Sequence, residues 1–362
     1  MAKIALIPGD GIGVEVTREA AKVLRCSAEL AGAPIELVEW PHGASHYLAT
    51  GVTITPDEMA QLREYDAIFL GAMGDPRVPK NEHARDILLG LRFQLDLFIN
   101  LRPVRLYRAE HSPLRAVRPE DVDLVIFREN TEGVYVGMGG NFKRGTTDEI
   151  AIEEDVNTYR GVERIIRAAF EYARRRGRSR VTLSDKANAM PHAGALWRRV
   201  FREVGGEFSD IEQNAVYADA LALDLVLHPA RYDVIVAPNL FGDLLSDLAA
   251  ALVGGLGLAP SASLHPGRSG LFEPVHGSAP DLVGTGRANP LAAILTSALL
   301  LEHIGREPAA RAVEAAVERA LAEGATTPDL GGSLDTAAVG DRICELLRGG
   351  ARAATPSPLH PE

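Results

Sequence analysis

Asp243 and Asp247 stand four residues apart in Asn239-Leu240-Phe241-Gly242-Asp243-Leu244-Leu245-Ser246-Asp247, just after the β-branched run Tyr232 to Ala237. The run reads as a buried strand, and the apolar spacing beyond Asn239 is helical, so both carboxylates project from one face of a helix near its start. At roughly 5–6 Å and an effective dielectric of about 20, two such charges repel by about 3 kcal/mol. A hard divalent cation offsets that cost and prefers carboxylate oxygens. For the pair taken alone, two acids favouring a helix N-terminal dipole are the better account.

Other chemically capable residues collect in the middle third. Arg92 and Arg102 bracket Phe93 to Leu101, and Arg128 opens Arg128-Glu129-Asn130-Thr131-Glu132-Gly133-Val134-Tyr135 at a strand end. Each arginine singly reads as a surface residue. Together, three guanidinium forks at element ends can form a cup for a polycarboxylate. Lys186 ends a further strand in Ser184-Asp185-Lys186-Ala187-Asn188, where a partly buried amine can lose its proton and act as a base. Asp219 is a third acid, set in the apolar stretch Val216 to Leu221.

The elements that must position these groups alternate. Strands are expected at Lys3 to Ile7, Ile35 to Trp40, Ala67 to Leu70, Asp123 to Phe127, Val181 to Leu183 and Val234 to Ala237, with helical patterns between most of them. That alternation means α/β layers. The first strand leads through Gly9-Asp10-Gly11-Ile12-Gly13 into a helix with Val16, Ala20, Val23, Leu24 and Ala31 on one side. This glycine spacing is not the dinucleotide fingerprint, and the loop alone reads as a tight turn after an edge strand. Gly133 to Asp148 lacks a helical period and suggests an arm or hairpin leaving the body. Ala249 to Pro274 holds eight glycines or prolines and suggests a return between domains near its start.

At 362 residues the chain suits two domains or one large α/β unit. Its net charge of −11 disfavours nonspecific nucleic-acid binding, and the basic run Arg174 to Arg180 reads as a solvated helix end. No apolar run reaches the roughly 18 residues of a membrane span, and no signal peptide is evident, so a cytoplasmic protein is expected. Cys26 and Cys344 are too few and too distant in sequence for a disulfide framework or a cysteine metal site.

Several long motifs occur in order: IPGDGIG at Ile7–Gly13, RENTEGVY at Arg128–Tyr135, SDKANAM from Ser184, NLFGDLLSDLAAALVGGLG from Asn239, LFEPVHGSAPD at Leu271–Asp281, and TPDLGG at Thr327–Gly332. In these the chain resembles the β-decarboxylating dehydrogenases of 3-isopropylmalate, isocitrate, homoisocitrate and tartrate. The resemblance covers nearly everything but the tail. It implies a two-domain, isopropylmalate dehydrogenase-like α/β fold with a mixed central sheet flanked by helices, distinct from a standard Rossmann fold. Its domains would be a discontinuous cofactor-binding part, 1–100 plus 250–348, and a substrate, metal and dimerisation part, 101–249, with an arm near 133–148. Residues 349–362 form a small, polar, Pro-rich tail expected to be disordered.

By the same resemblance, Asp243 and Asp247 bind Mg²⁺ or Mn²⁺ together with Asp219 of the partner subunit. Arg92, Arg102 and Arg128 hold the carboxylates of a small dicarboxylate, which Asp219 also approaches. Lys186, again from the partner, is the base or proton relay, and Tyr135 the general acid. Glu273, His276, Gly277, Ser278, Ala279, Asp281 and Asn289 form the cofactor site. There a carboxylate at Asp281 suits the ribose hydroxyls of NAD and would repel a 2′-phosphate. Ile87, Leu88 and Leu89 present an apolar wall before Arg92, which favours an alkyl side group and hence 3-isopropylmalate in leucine biosynthesis. Tartrate, homoisocitrate or another 3-substituted malate is the alternative, and a noncatalytic subunit is a third reading. Sites shared between chains require a homodimer.

Overall fold

The computed structural model of the chain describes residues 1–354, and those residues divide into two compact units. The first comprises Met1–Leu91, Gly255–Ala262 and the chain from Gly267 onward; the second comprises Arg92–Gly254 and Ser263–Pro266. The breaks thus fall at 91 and 254, where the sequence reading placed them at 100 and 249. A mixed sheet flanked by helices is the framework, as expected.

The first unit begins with β1 (Ala2–Ile7), α1 (Ile12–Leu30), β2 (Ile35–Glu39), α2 (Ala44–Thr50), α3 (Pro56–Leu62), β3 (Ala67–Leu70) and α4 (Glu82–Gln94), whose last turn passes into the second unit. The second unit holds β4 (Ile99–Arg105), β5 (Asp123–Glu129), β6 (Gly139–Phe142), β7 (Ile150–Glu153), α5 (Tyr159–Arg176), β8 (Arg180–Asp185), α6 (Pro191–Gly205), β9 (Glu212–Tyr217), α7 (Ala218–Leu227), β10 (Val234–Ala237) and α8 (Asn239–Ala251). The chain then completes the first with β11 (Pro260–Leu264), whose last two residues count with the second unit, β12 (Gly270–Pro274), α9 (Leu291–His303), α10 (Glu307–Ala322) and α11 (Thr336–Ala354).

Strand order in the first unit is β2-β1-β3-β12-β11. Because β1 pairs in parallel with both β2 and β3, it is an interior strand, and the Gly9–Gly13 loop does not follow a sheet edge as expected. Its fully buried run Ile4 to Ile7 fits that place, since strands covered on both faces read as continuous apolar sequence. On α1 the stripe Val16, Ala20, Val23 and Leu24 is buried, whereas Ala31 is an exposed residue beyond the helix end. Residues 349–354 continue α11 and are not tail, while the remainder of the expected tail, 355–362, lies outside the described residues.

In the second unit the order is β4-β5-β10-β8-β9, parallel except for β4, which runs antiparallel to β5. The separate ribbon of β6 and β7 is the expected hairpin, extending to Glu153 and exposed along both strands. The basic run closes α5 at left-handed Gly177, with Arg174 paired to Asp210 and Arg178 to Asp123, as a solvated helix end requires. Among the described residues no helix is long and apolar enough to cross a membrane.

The face of α5 packs Phe170, fully buried, against Phe208 and Phe201 at ring separations of 5.1 and 5.4 Å. Phe170→Ala should cost about 3–5 kcal/mol, read as a lower urea midpoint with an unchanged slope for the second unit.

Candidate active site

The second unit brings the arginines together through strand pairing. In the antiparallel β4–β5 ladder, Asn100 lies opposite Arg128. Arg102 is two residues beyond Asn100, so it shares the same face. Arg92 sits in the last turn of α4. All three are buried, at 5, 7 and 2 % exposure for Arg92, Arg102 and Arg128, and the surface reading of each arginine is overturned. A guanidinium retains its charge, so burial demands acceptors.

Helix α8 supplies them. Arg128 donates from Nη1 to Asp243 at 2.5 Å and from Nε and Nη2 to Asn239 Oδ1 at 3.0 and 2.8 Å. Arg102 bridges the acid pair, with Nη1 3.0 Å from Asp247 and Nη2 3.2 Å from Asp243, while Nη1 also donates to Ser246 Oγ and Nε to Asn100. The repulsion between Asp243 and Asp247 is therefore relieved within the chain by a guanidinium. The dipole account fails, because the first turn of α8 carries no acid. Close approach of α8 to β5 depends on Gly242, where a Cβ would lie 2.7 Å from the Arg128 side chain.

Tyr135 reaches the same place through the turn after β5. Glu129, buried, accepts from Thr131 N, Thr131 Oγ1 and Glu132 N, which folds the chain back. Gly133 then takes φ 78°, a left-handed conformation that suits glycine, and starts the short 3₁₀ turn Val134–Val136. The Tyr135 hydroxyl donates to Asp243 Oδ2 at 2.7 Å, and the Arg128 guanidinium lies 4.9 Å from its ring centroid.

The charges tune one another. Burial pushes the Arg128 guanidinium down to about 10, with Arg102 and Arg92 adding to the effect, so it stays charged at neutral pH. Burial acts to raise Asp243, but Arg128, Arg102 and the Tyr135 hydroxyl outweigh it and hold the carboxyl below its ordinary range. Asp247 moves the other way, raised by burial and by Asp243 despite Arg102. The Tyr135 hydroxyl is raised by burial and by its bond to Asp243, so it holds its proton at neutral pH.

Lys186 and Asp219 form a second group. Lys186 follows β8 with its side chain 25 % exposed, and its Nζ is 2.5 Å from Asp219 Oδ1 at the start of α7. Asp219 is 67 % exposed, contrary to its apolar sequence surroundings, because α7 turns it outward while Leu221 and Leu225 face the core. Among the described residues no three His, Cys, Asp or Glu side chains gather as a metal site, so one chain does not assemble Asp219, Asp243 and Asp247. The chemistry of Asp243 and Asp247 still fits a hard cation: two carboxylates that share one guanidinium offer only oxygen donors.

The cofactor candidates lie in the first unit. Ile12 N donates to Ser278 O at 2.8 Å, and a Cβ on Gly11 would come within 2.1 Å of that oxygen. The N-terminal glycine loop is thus fitted against the loop that runs from Glu273 at the end of β12 through Gly277, Ala279 (φ 37°) and the 3₁₀ turn Pro280–Leu282. A groove of ≈ 850 Å³ is lined by Gly11, Glu15, Gly74, Pro280, Val283 and Gly284, among others. Its size and bare backbone fit an extended nucleotide. Asp281 is exposed between lining residues Pro280 and Val283. His276 is lowered by burial, its Nδ1 3.0 Å from Gly277 O and its Nε2 without a partner, so the ring is neutral and keeps one unused polar edge. Asn289 is buried, its amide held by Asp329 and by the N-terminus of α9.

On α4, Ile87 is 1 % exposed and belongs to the core, while Leu88 and Leu89 are half-buried. Burial of Ile87 in the core reduces the expected three-residue wall to Leu88 and Leu89. Asn239, Ser246, Asn100 and Gly242 were missed by the sequence reading. An asparagine one proline beyond an all-apolar strand, at the start of a helix, was the available signal.

The chain matches the family described as isocitrate/isopropylmalate dehydrogenase over residues 3–343. It is 46 % identical over 347 residues to the 3-isopropylmalate dehydrogenase of Thermobifida fusca, covering 95 % of this chain and 97 % of that one. With the 3-isopropylmalate dehydrogenase of Rhodococcus erythropolis the identity is 48 %, covering 95 % and 100 %. A crystal structure of isocitrate dehydrogenase from Methylococcus capsulatus superposes with a TM-score of 0.87 at 38 % identity, over 96 % of this chain and all of that one.

One consequence concerns acid stability. A carboxyl held low in the fold adds stability above its unfolded pKa of about 4, and that stability is lost as pH falls through the lower folded value. In metal-free protein Asp243→Asn should therefore cost roughly 1–3 kcal/mol at pH 7, and in urea titrations the difference from wild type should shrink as pH falls below about 4, the ordinary value. Buried arginines aligned by β4 and β5, acids on the helix after β10 and a glycine loop fitted to the Ser278 loop accord with these likenesses: the chain belongs to the isocitrate/isopropylmalate dehydrogenase family.

Proposed function

We propose that the protein catalyses the NAD-dependent oxidative decarboxylation of 3-isopropylmalate to 4-methyl-2-oxopentanoate and CO₂, in leucine biosynthesis. The observation that carries this reading is the buried cluster of Arg92, Arg102 and Arg128 around Asp243 and Tyr135, a cationic cup with an acid donor inside it. Support for the side group comes from Leu88, one helical turn before Arg92 on α4, with Leu89 beside it. The relatives named 3-isopropylmalate dehydrogenase point to the same substrate.

In this reading the arginines bind and orient the carboxylates. Lys186 from the partner would take the proton of the substrate hydroxyl, and the groove of the first unit would hold NAD, which when bound would supply the hydride acceptor. Asp243 and Asp247 with the partner's Asp219 would hold a Mg²⁺ or Mn²⁺ ion, which when bound would supply Lewis acidity. After CO₂ leaves, Tyr135, which holds its proton at neutral pH, gives it to carbon.

NADH formation with 3-isopropylmalate, isocitrate, homoisocitrate and tartrate tests the reaction. The expected order puts 3-isopropylmalate first in kcat/KM; isocitrate or tartrate ahead of it would overturn the substrate. For the cofactor, Asp281→Lys should shift the NADP to NAD preference by about tenfold or more through removed repulsion and added attraction. Equal use of both cofactors by wild type would defeat the assignment.

The separation of the two groups supports a homodimer with shared sites, because Lys186 and Asp219 pair with each other in one chain instead of joining Asp243. Leu223 and Leu227 on α7, Leu240 and Leu244 on α8, and Phe142, Ile150 and Ile152 on the β6–β7 ribbon are exposed apolar residues that a second copy would cover. Inactive Lys186→Ala and Asp243→Ala chains, mixed and allowed to exchange, should regain activity because one site of the heterodimer carries no defect. Full exchange without recovery would refute the shared site.

A further inference from the structure

Asn239 is the first residue of α8, 2 % exposed, and both ends of its amide are used. Its Oδ1 accepts from Arg128 Nε and Nη2, while its Nδ2 donates to the carbonyl of Glu132 at 2.9 Å. The amide has one workable orientation, since a flip would set donors against donors. Of the five N–H groups of a guanidinium, Asn239 takes two and Asp243 one, which leaves two for a ligand. The Glu132 carbonyl belongs to the turn that delivers Tyr135, so this one side chain ties the arginine to the strand that carries the acid.

We propose that Asn239 is a positioning residue for Arg128, and that its neutrality as well as its shape sets the affinity for the dicarboxylate. The proposal rests on Arg128 being a substrate-carboxylate ligand. A neutral oxygen holds the inner edge of the guanidinium without cancelling its charge, so the charge remains for the ligand. An aspartate would keep the acceptor but add a second anion to a guanidinium already paired with Asp243, and would set a carboxylate oxygen against the Glu132 carbonyl with no proton between them. Glutamine is one methylene too long for a site where a Cβ on Gly133 would lie 3.1 Å from the Asn239 Cβ. Neither replacement reproduces both contacts.

The test compares the full-length wild type with Asn239→Ala and Asn239→Asp, titrating D-malate with Mn²⁺ present by calorimetry and, separately, NAD. Expected is a Kd for D-malate about tenfold weaker in Asn239→Ala and up to about a hundredfold weaker in Asn239→Asp, with the Kd for NAD within about twofold of wild type. With the preferred malate of the turnover panel, KM should rise by more than kcat falls. Asn239→Asp binding D-malate as wild type does would overturn the proposal, as would equal losses of D-malate and NAD affinity in both variants. Should wild type bind D-malate yet oxidise none of the four malates, the reaction proposed above fails while the binding ratios still decide the role of Asn239.

Discussion

A guanidinium cannot shed its charge when it is buried, and Arg128 is buried on β5, in the antiparallel strand pair of the second unit. Everything around it answers that requirement. Asp243 supplies the compensating charge, Asn239 the neutral acceptor, and Arg102 spans Asp243 and Asp247 so that two acids and two arginines alternate. Breaking such a cluster by removing one member leaves an uncompensated charge in a low dielectric, which costs several kcal/mol. The same arrangement leaves one cation beyond the charge of its own acids, because three arginines face two carboxylates.

Local backbone features serve this cluster. The antiparallel run of β4 sets Asn100 opposite Arg128 and Arg102 on the same face. The absence of a side chain at Gly242 lets α8 approach closely enough for its acids to meet the strand's arginines. Glu129 spends a buried carboxylate on three donors of the following turn, at a cost visible in its raised pKa, which burial dominates. That turn ends where the Tyr135 hydroxyl meets Asp243.

Much of this was legible from sequence. The continuous apolar runs Ile4 to Ile7, Ala67 to Leu70 and Val234 to Ala237 could only be buried strands, and the helical spacing after Pro238 placed Asp243 and Asp247 on one face. The long motifs made the family and the candidate residues readable together. Other features were not legible. Nothing local in Ile99–Arg105 shows that it pairs antiparallel, and an interior β1 depends on partners distant in sequence. Burial of the arginines escaped the residue-by-residue reading because it depends on acceptors contributed by α8. Ile87 was grouped with Leu88 and Leu89 by type, whereas the helix sends it to the core.

In the proposed reaction the contacts of Arg128, Asp243 and Tyr135 hold a protonated hydroxyl where carbon must be protonated after CO₂ is lost. Single-turnover kinetics of Tyr135→Phe, following NADH and the final 2-oxo acid separately, tests it most directly. NADH should form in a burst, with appearance of the 2-oxo acid slowed by about 10²-fold or more. Appearance of the 2-oxo acid at the wild-type rate would contradict the account.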